Sequence, residues 1–380
     1  MGPFICERCG NSDPRYIGIK QGKPYCRRCI SFSGTVLQPI HKPRKEVTLS
    51  LGYPLSAKQK ELSDRIIENF RNGIDTLVYA VTGSGKTEIS YGVIAYAMAQ
   101  GLSVGFALPR RDVVIELFFR LKDAFPKNRI VAVYGEHTAT LEGDCIILTT
   151  HQLYRYPKYF DLLVLDEIDA FPFKGNPVLI KLFENALRGH CVMMSATPSK
   201  DVVERFKKPG HDLLTLRTRF HRHPIPVPTS KNGPIFLQYF YLYRKLRDFQ
   251  KRCKPCFIFV PTVALSASVF RFLNRFFKGG NYVSSKRENR DEVIAGFKSG
   301  KYRFLVTTAV LERGVTVPDL QVIVFHADDA VYDASALIQI AGRAGRKASA
   351  PTGEVLFIGQ KESEGMKRAK KEIAFCNTFL

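Results

Sequence analysis

Short apolar runs alternate with longer amphipathic stretches over most of this 380-residue chain. Between residues 55 and 215 the apolar runs predict buried strands at 76–80, 104–108, 130–134, 145–149, 162–165 and 191–194. Stretches with apolar residues at every third or fourth position predict helices at 56–70, 87–100 and 111–124. Strands and helices that alternate in this way are typical of a mostly parallel sheet with helices on both faces.

A second α/β set follows in the carboxyl-terminal part of the chain. Its apolar runs predict strands at 256–260, 282–284, 304–307, 322–325 and 355–358. A stretch rich in proline, residues 223–234, separates the two sets and predicts a stiff, extended linker. We therefore expect an α/β protein with two tandem lobes, one over 55–222 and the other over 235–380.

The amino-terminal segment has a different pattern, dominated by two pairs of cysteines. Cys6 and Cys9 form one pair, Cys26 and Cys29 form the other, and 16 residues separate the pairs. Residues 16–25 between the pairs predict a small hairpin, and the spacing is typical of a four-thiolate Zn²⁺ site. Two disulfides are the alternative. We assign residues 1–32 to a zinc module and 33–54 to a connector.

The charge of the chain adds a partner to this picture. Its formal net charge of +22 points to a polyanionic partner, although a surface charged for solubility is the alternative. No apolar run is long enough to predict a transmembrane helix. The first residues carry cysteines in place of the apolar core of a signal peptide, so we expect a cytoplasmic protein.

Glycines and a lysine follow the first strand of the first lobe, in the segment 80–87. The glycines let backbone N–H groups surround a triphosphate, Lys86 can reach the β- and γ-phosphates, and the Thr87 hydroxyl can hold Mg²⁺. The residues predicted to contact nucleotide here are Thr82, Gly83, Ser84, Gly85, Lys86 and Thr87. This pattern, between a strand and a helix, predicts a phosphate-binding loop.

Three further motifs follow in order. Asp166-Glu167-Ile168-Asp169 ends an apolar strand, and Ser195-Ala196-Thr197 ends another, so its hydroxyls can bond to the region of Asp166 and Glu167. Gln339-Ile340-Ala341-Gly342-Arg343-Ala344-Gly345-Arg346 lies in the second lobe. Arg343 and Arg346 are three residues apart, so we expect them on one helix face, where an arginine can stabilise charge on a transferring phosphoryl group.

The order and spacing of these motifs resemble superfamily 2 helicases, whose two lobes are RecA-like. The resemblance implies that Lys86 and Thr87 bind phosphate and Mg²⁺, that Asp166 holds Mg²⁺, and that Glu167 activates the attacking water. It further implies that Gln339 orients the water or the γ-phosphate. Gln59, in Leu55-Ser56-Ala57-Lys58-Gln59, resembles the adenine-reading glutamine of the family; a solvated helix residue is the alternative.

The same resemblance implies a single strand of nucleic acid bound across both lobes. The matching segments contain Pro109, Arg110, Thr149, Thr150, His151, Thr307 and Thr308. Hydroxyls and backbone N–H groups hold phosphates without reading sequence. The stretch Tyr239–Tyr243 is followed by basic residues, but we interpret it as a buried strand rather than as a platform for base stacking.

A finer resemblance covers nearly the whole chain. The four cysteines stand before Ala80–Glu88, and the chain continues with Thr149-Thr150-His151-Gln152-Leu153, Asp166-Glu167-Ile168-Asp169-Ala170-Phe171-Pro172, Arg219-Phe220-His221 and Leu311-Glu312-Arg313-Gly314-Val315-Thr316. This combination resembles ComFA, the late-competence ATPase of naturally transformable Gram-positive bacteria. ComFA proteins often carry more residues before the zinc module, so the resemblance implies a short or shortened member.

The ComFA resemblance implies an ATPase that draws incoming single-stranded DNA through the membrane channel and uses ATP, Mg²⁺ and Zn²⁺. It implies a place in the cytoplasm or at the inner face of the membrane, and partners of the ComEC channel and ComFC types. A PriA-like helicase, an RNA helicase and a DNA-binding adaptor without hydrolysis are the alternatives. PriA-like proteins insert zinc ligands into the second lobe, and an adaptor has no need of Lys86, Asp166, Glu167 and Arg346.

Overall fold

The computed structural model describes residues 4–29, 32, 34–40, 42–283, 289–308 and 317–379. These residues form two compact units. Unit 1 contains the residues up to Ala80 together with Gly85–Leu216, and unit 2 contains Val81–Ser84 together with the residues from Arg217 onward. In the part of the chain that the structure describes, no helix combines the length and the apolar character needed to cross a bilayer.

Unit 1 begins with the predicted hairpin between the cysteine pairs. Strand β1, Ile17–Lys20, pairs antiparallel with strand β2, Lys23–Cys26. Short 3₁₀ turns at Pro14–Tyr16 and Arg27–Cys29 flank the two strands. The hairpin thereby brings its second cysteine pair back beside the first.

The main body of unit 1 is a seven-stranded parallel sheet with the order β5-β6-β4-β7-β8-β3-β9. The strands are β3 Asp75–Ala80, β4 Val104–Leu108, β5 Ile130–Val133, β6 Cys145–Thr149, β7 Phe160–Asp166, β8 Leu187–Ser195 and β9 His211–Leu216. The helices are α1 Ala57–Arg71, α2 Lys86–Ile89, α3 Tyr91–Ala99, α4 Arg111–Ala124, α5 Pro177–Ala186 and α6 Lys200–Arg205. The predicted mostly parallel sheet is confirmed.

Alternate residues of each strand face opposite sides of this sheet, and each side has its own core. In β3, Val78 packs in the core beneath α1, α3 and α4, whereas Leu77 packs in the core that contains α5. Both side chains are fully buried. Strands covered on both faces must be apolar at almost every position, which explains the short continuous runs in the sequence.

Unit 2 repeats this design with a six-stranded parallel sheet of order β10-β15-β14-β11-β13-β12. Its strands are β10 Thr229–Asn232, β11 Cys256–Phe259, β12 Gly280–Val283, β13 Phe304–Thr307, β14 Gln321–Phe325 and β15 Val355–Gly359. Its helices are α7 Ile235–Lys251, α8 Val263–Asn274, α9 Arg290–Lys298, α10 Ala334–Ala341 and α11 Glu364–Asn377. The expected pair of RecA-like lobes behind a four-cysteine module is confirmed.

The interpretation of Tyr239–Tyr243 as a strand is wrong, because these residues lie within helix α7. The buried positions of α7 include Leu242, Leu246 and Phe249, at the three- and four-residue spacing of a helix. The tyrosines alternate over five residues as they would in a strand. The apolar residues at helical spacing extend over the whole of α7 and determine the conformation. Two edge strands were not predicted, β9 and β10, and β10 lies inside the stretch 223–234 that was expected to be a linker.

Helix α1 begins with a reciprocal pair of hydrogen bonds between Ser56 and Gln59. The Ser56 hydroxyl accepts from the Gln59 backbone N–H at 3.3 Å, and Gln59 Oε1 accepts from the Ser56 N–H at 2.9 Å. This capping box satisfies two donors that a helix start otherwise leaves unpaired. It also fixes the Gln59 side chain at the first turn of the helix.

We expect Ser56→Ala to destabilise unit 1 by about 1 kcal/mol, since one of the two capping hydrogen bonds is lost. Thermal unfolding should show this as a midpoint about 2–4 °C lower. Lys58→Ala is the matched control on the same turn, because it removes only an exposed ion pair with Glu61. Equal shifts for the two variants would contradict a capping role for Ser56.

Candidate functional site

The loop after β3 has the backbone conformation that a phosphate-binding loop requires. Gly83 and Gly85 have φ angles of 83° and 77°, in the left-handed region that favours glycine. A Cβ atom at Gly85 would lie 2.4 Å from Gln59 Nε2, so a larger residue there would displace the Gln59 side chain. Lys86 begins α2 directly after this turn. The residues present fit the binding of a triphosphate.

Lys86 and Asp166 form a buried ion pair. The Lys86 Nζ atom lies 2.6 Å from Asp166 Oδ1, which also accepts a hydrogen bond from the Glu167 backbone N–H at 2.7 Å. The carboxylate lies at the end of β7, with 7% of its side chain exposed. Burial raises the pKa of Asp166, and the Lys86 ammonium opposes that shift. A buried carboxylate with a cation beside it is suited to exchange that cation for Mg²⁺.

The chain turns sharply at Glu167, the next residue. Glu167 has a φ of 61°, which is uncommon for a residue that carries a side chain. Such backbone strain persists where the surrounding structure holds it, and it concentrates at functional sites. The backbone carbonyl of Glu167 accepts a hydrogen bond from the Ala170 N–H at 2.9 Å, which closes the turn.

The third carboxylate of this motif, Asp169, binds the two hydroxyls of the Ser-Ala-Thr motif. Ser195 Oγ donates to Asp169 Oδ1 at 2.8 Å, and Thr197 Oγ1 donates to Asp169 Oδ2 at 2.7 Å. Ser195 ends β8, which pairs with β7 in the sheet. The hydroxyls therefore bond to Asp169, the last residue of the acidic motif, where Asp166 and Glu167 were the expected region.

Gln59 is buried, with 3% of its surface exposed, so it is not a solvated helix residue. Its side chain lies beside Gly85 and is held by the capping box. A cavity of about 200 Å³ in unit 1 is lined by Tyr53, Glu88, Tyr91 and Arg120, among others. Sequence reasoning missed these residues. Tyr53 lies near Gln59 in the sequence, and Glu88 and Tyr91 lie near Lys86, whereas Arg120 comes from the later helix α4 and could not have been found in this way.

Hydrogen bonds tie the lining of this cavity together. Tyr53 Oη donates to Glu88 Oε1 at 3.0 Å, and Arg120 Nη2 donates to the same oxygen at 2.5 Å. Burial raises the pKa of Tyr53 to about 12, so its hydroxyl remains a donor at neutral pH. Glu88 is fixed by these two donors immediately after Thr87.

In unit 2 the expectation that Arg343 and Arg346 share a helix face is wrong. Helix α10 contains Gln339 and ends at Ala341, so both arginines follow the helix. Gly342 caps the helix, and Gly345 has a φ of 61°. These two glycines stop the helix in a compact turn, Gly342–Gly345, which we name the arginine turn. Arg343 is buried in this turn, and Arg346 follows it.

Several residues predicted to contact nucleic acid lie at the ends of neighbouring strands in unit 1. Pro109 and Arg110 follow β4, Thr149 ends β6, and Thr150 and His151 begin the 3₁₀ helix Thr150–Arg155. Pro109 and both threonines are buried, whereas Arg110 and His151 are partly exposed. Burial lowers the pKa of His151, so its ring is neutral at pH 7.

The corresponding residues of unit 2 are also inside the protein. Thr307 ends β13, its hydroxyl donates to the backbone carbonyl of Thr308 at 3.0 Å, and both threonine side chains are buried. Residues 309–316, which include the segment 311–316 of the ComFA resemblance, lie outside the described residues. Contacts to a nucleic acid by these threonines would have to come from their backbone.

The four cysteines of the amino-terminal module form one cluster. Their sulfur atoms all lie within 4.8 Å of one another, with Cys6 to Cys29 at 3.8 Å and Cys9 to Cys26 at 3.7 Å. Tetrahedral Zn²⁺ with Zn–S bonds of about 2.3 Å places its sulfurs roughly this far apart. All four cysteines are free, so the disulfide alternative is not supported. Burial raises the pKa of Cys29, so four thiolates require the charge of a metal ion.

The cysteine module is fixed to the rest of unit 1. The Asn185 side chain on α5 donates to the carbonyls of Glu7 and Arg8, both at 2.8 Å. The Phe32 ring lies 5.6 Å from the Tyr154 ring, in the 3₁₀ helix that begins at Thr150. The cysteine module therefore packs against α5 and against this 3₁₀ helix.

Two family models match the chain. Residues 59–206 match the DEAD/DEAH box helicase model, and residues 239–348 match the helicase conserved C-terminal domain. The match to the first model includes the phosphate-binding loop, the acidic motif and the Ser-Ala-Thr motif. The match to the second includes the arginine turn.

Solved structures with a similar fold are helicases. S. cerevisiae Dbp5 bound to RNA and ADP BeF3 aligns with a TM-score of 0.64 at 15% identity, over 86% of this chain and 92% of that chain. The Mycobacterium smegmatis helicase Lhr, bound to single-stranded DNA and AMP-PNP, aligns at 0.61 with 18% identity, over 84% of this chain and 50% of that one. At these identities the likeness establishes the fold.

Two curated relatives match almost the full chain. The competence protein ComFA of Streptococcus pneumoniae is 32% identical over 99% of this chain and 91% of its own length. ComFA of Bacillus subtilis is 33% identical over 98% of this chain and 86% of its own length. Together with the two helicase domains, these matches show that the chain belongs to the ComFA family of superfamily 2 helicase-like ATPases.

Proposed function

We propose that this protein is an ATP-driven motor that moves along single-stranded DNA during the uptake of transforming DNA. The observation that carries the proposal is the buried pair of Lys86 and Asp166, 2.6 Å apart, between the phosphate-binding loop and the acidic motif. The family of the chain supplies the competence context. The alternatives of a PriA-like or RNA helicase have no specific observation in their favour.

The chain's residues divide the work of binding ATP. The backbone of Thr82–Gly85 holds the phosphates, Lys86 turns from Asp166 to the β- and γ-phosphates, and Gln59 reads the adenine edge. Thr87 and Asp166 are the residues that would hold Mg²⁺, which neutralises charge on the phosphates when it is bound. Burial raises the pKa of Asp166 and the Lys86 ammonium opposes that shift, so a bound cation would take over this role when Lys86 turns to the phosphates.

Hydrolysis then depends on a base and on positive charge. Glu167 orients and activates the attacking water, and Gln339 helps to orient the water or the γ-phosphate. Arg343 and Arg346 supply charge to the transition state, and such an arginine contributes about 10³- to 10⁵-fold in related phosphoryl transfer enzymes. The hydrogen bonds from Ser195 and Thr197 to Asp169 couple a change in the acidic motif on nucleotide binding to the end of β8.

The proposed DNA track uses Pro109, Arg110, Thr149, Thr150, His151, Thr307 and Thr308. Contacts through backbone groups and one partly exposed arginine position a strand without reading its bases. The net charge of +22 favours a polyanion. A ComFC-like protein and a ComEC-type channel are the proposed protein partners, which would place the motor in the cytoplasm at the inner face of the membrane.

We predict that Lys86→Ala lowers the rate of ATP hydrolysis by at least about 10²-fold and leaves DNA binding nearly unchanged. The fold should survive, because loss of the ammonium raises the pKa of the buried Asp166 carboxyl further and so favours its neutral form. Glu167→Gln should abolish hydrolysis to a similar extent and still bind a fluorescent ATP analogue. If Lys86→Ala is folded and hydrolyses ATP at the wild-type rate, the assignment of the nucleotide site is wrong.

Arg110 and His151 should differ in the salt dependence of DNA binding. Arg110→Ala should reduce the slope of log affinity against log salt concentration by about 1, as expected for one lost phosphate contact. His151→Gln should leave that slope unchanged at pH 7.5, because the lowered pKa keeps the ring neutral. Fluorescence anisotropy with single-stranded DNA measures both slopes, and an unchanged slope for Arg110→Ala removes this residue from the track.

We predict that the double variant Cys26→Ser, Cys29→Ser loses its bound metal, since two of four thiolate ligands are gone. Elemental analysis of the purified protein should find close to one zinc per wild-type chain and almost none in the variant. Cys253→Ser is the control, because this exposed cysteine lies outside the cluster. Zinc retained at the wild-type level in the double variant would show that the ligands are elsewhere.

A further inference from the structure

Arg219 is a charged side chain inside unit 2, with 2% of its surface exposed. Its guanidinium donates to three backbone carbonyls of the arginine turn. Nη1 lies 3.0 Å from the Ala344 oxygen and 2.6 Å from the Gly345 oxygen, and Nη2 lies 3.0 Å from the Gly342 oxygen. A single planar group therefore holds three carbonyls of one four-residue turn.

This arginine has no carboxylate partner among the residues that the structure describes. Burial, together with the nearby charge of Arg346, lowers the pKa of Arg219 to about 10. The group is still charged at neutral pH. A buried cation without a counter-charge costs stability unless its donors are hydrogen-bonded, and here the three carbonyls of the arginine turn provide those bonds.

The turn that Arg219 holds needs such support. The last carbonyls of a helix lack partners within the helix, and α10 ends directly before the turn. Gly345 is in the left-handed region, and a Cβ atom there would lie 2.3 Å from the Pro351 carbonyl oxygen. His221 adds a contact, with Nε2 3.1 Å from the Gly345 carbonyl oxygen. The turn is therefore shaped from two sides, by glycine geometry and by Arg219 with His221.

The segment that carries Arg219 is itself anchored within unit 2. The Phe220 backbone N–H donates to the carbonyl of Gly83 at 3.2 Å, and Val81–Ser84 is grouped with this unit. The Arg222 N–H donates back to the Arg219 carbonyl at 3.0 Å, which closes a turn around the arginine. Arg219 is thus held from its backbone as well as through its side chain.

We propose that Arg219 is a positioning residue that sets the conformation of the arginine turn and thereby aims Arg343 and Arg346. This inference rests on the proposed function, because it concerns the charge that those two arginines bring to ATP hydrolysis. A planar guanidinium with five donors can hold three carbonyls at once, whereas the ammonium of a lysine is a point charge with a different geometry. Arg219→Lys therefore keeps the positive charge and loses the planar set of donors that binds three carbonyls at once.

Single-turnover ATP hydrolysis with saturating single-stranded DNA tests the proposal. Arg219→Lys should lower the hydrolysis rate by about 10²-fold, as expected when catalytic groups are misplaced by roughly 1 Å. The affinity for a fluorescent ATP analogue should change by less than about threefold, because Arg219 acts on the turn and not on binding. Arg217→Lys is the matched control, since Arg217 packs on the rings of Phe375 and Phe379 and its substitution should leave the rate unchanged.

The decisive comparison repeats Arg219→Lys in a background that carries both Arg343→Ala and Arg346→Ala. If Arg219 acts through the arginines of the turn, its substitution should have little further effect there. If the two losses multiply, Arg219 acts elsewhere and the proposal is overturned, although the ATPase assignment stands. If the wild-type chain itself hydrolyses no ATP, the proposed function fails instead.

A second variant keeps the test sharp if Arg219→Lys does not fold. His221→Ala removes one contact to the Gly345 carbonyl from a partly exposed side chain. It should lower the hydrolysis rate by a smaller factor, and this loss too should vanish in the background that carries both Arg343→Ala and Arg346→Ala. A wild-type rate for a folded His221→Ala variant, with Arg219→Lys unfolded, would count Arg219 as a structural residue only.

Discussion

The ion pair between Lys86 and Asp166 is the interaction on which the proposed nucleotide site depends. Burial at the end of β7 raises the pKa of the Asp166 carboxyl, and the Lys86 ammonium beside it opposes that shift. The parallel sheet supplies both partners, because β3 and β7 end at the same edge and the loop after each strand begins there. Gly83 and Gly85 allow the first loop to turn, and Glu167 accepts a strained backbone in the second. The lysine that balances the carboxylate is also the residue best placed to leave it for a phosphate.

Unit 2 buries a charge by a different means. Arg219 is held by backbone carbonyls, which fix the conformation of the arginine turn. Asp166 is paired with a lysine side chain, which can move away and be replaced by another cation. This difference agrees with the roles that we propose for the two charged groups. A carboxylate that meets a metal ion must be released from its lysine, whereas an arginine that shapes a turn must keep its contacts throughout a cycle. The cysteine module is likewise held in place by fixed contacts, with Asn185 and with the 3₁₀ helix of unit 1.

Much of this architecture could be predicted from sequence because buried parallel strands are apolar at nearly every position. The phosphate-binding loop, the acidic strand end at Asp166 and the four cysteines have spacings that few other structures share. The failures have physical causes. Tyr239–Tyr243 alternates like a strand, but seventeen residues of helical apolar spacing outweigh five. Arg343 and Arg346 have helical spacing, yet Gly342 ends the helix. Edge strand β10 has no apolar run, since edge strands are only partly covered. Arg219 stands in one of the segments that carry the ComFA resemblance, but nothing in a sequence reveals which carbonyls a buried arginine will hold.

The central claim is that this two-lobed chain hydrolyses ATP in response to single-stranded DNA. The most direct measurement is the steady-state hydrolysis rate of the purified, zinc-loaded protein, alone and with matched single-stranded DNA, duplex DNA or RNA. The account predicts a low basal rate and strong stimulation by single-stranded DNA, well above that by duplex or RNA. Equal or greater stimulation by RNA, or no hydrolysis under any condition by a folded protein, would contradict it.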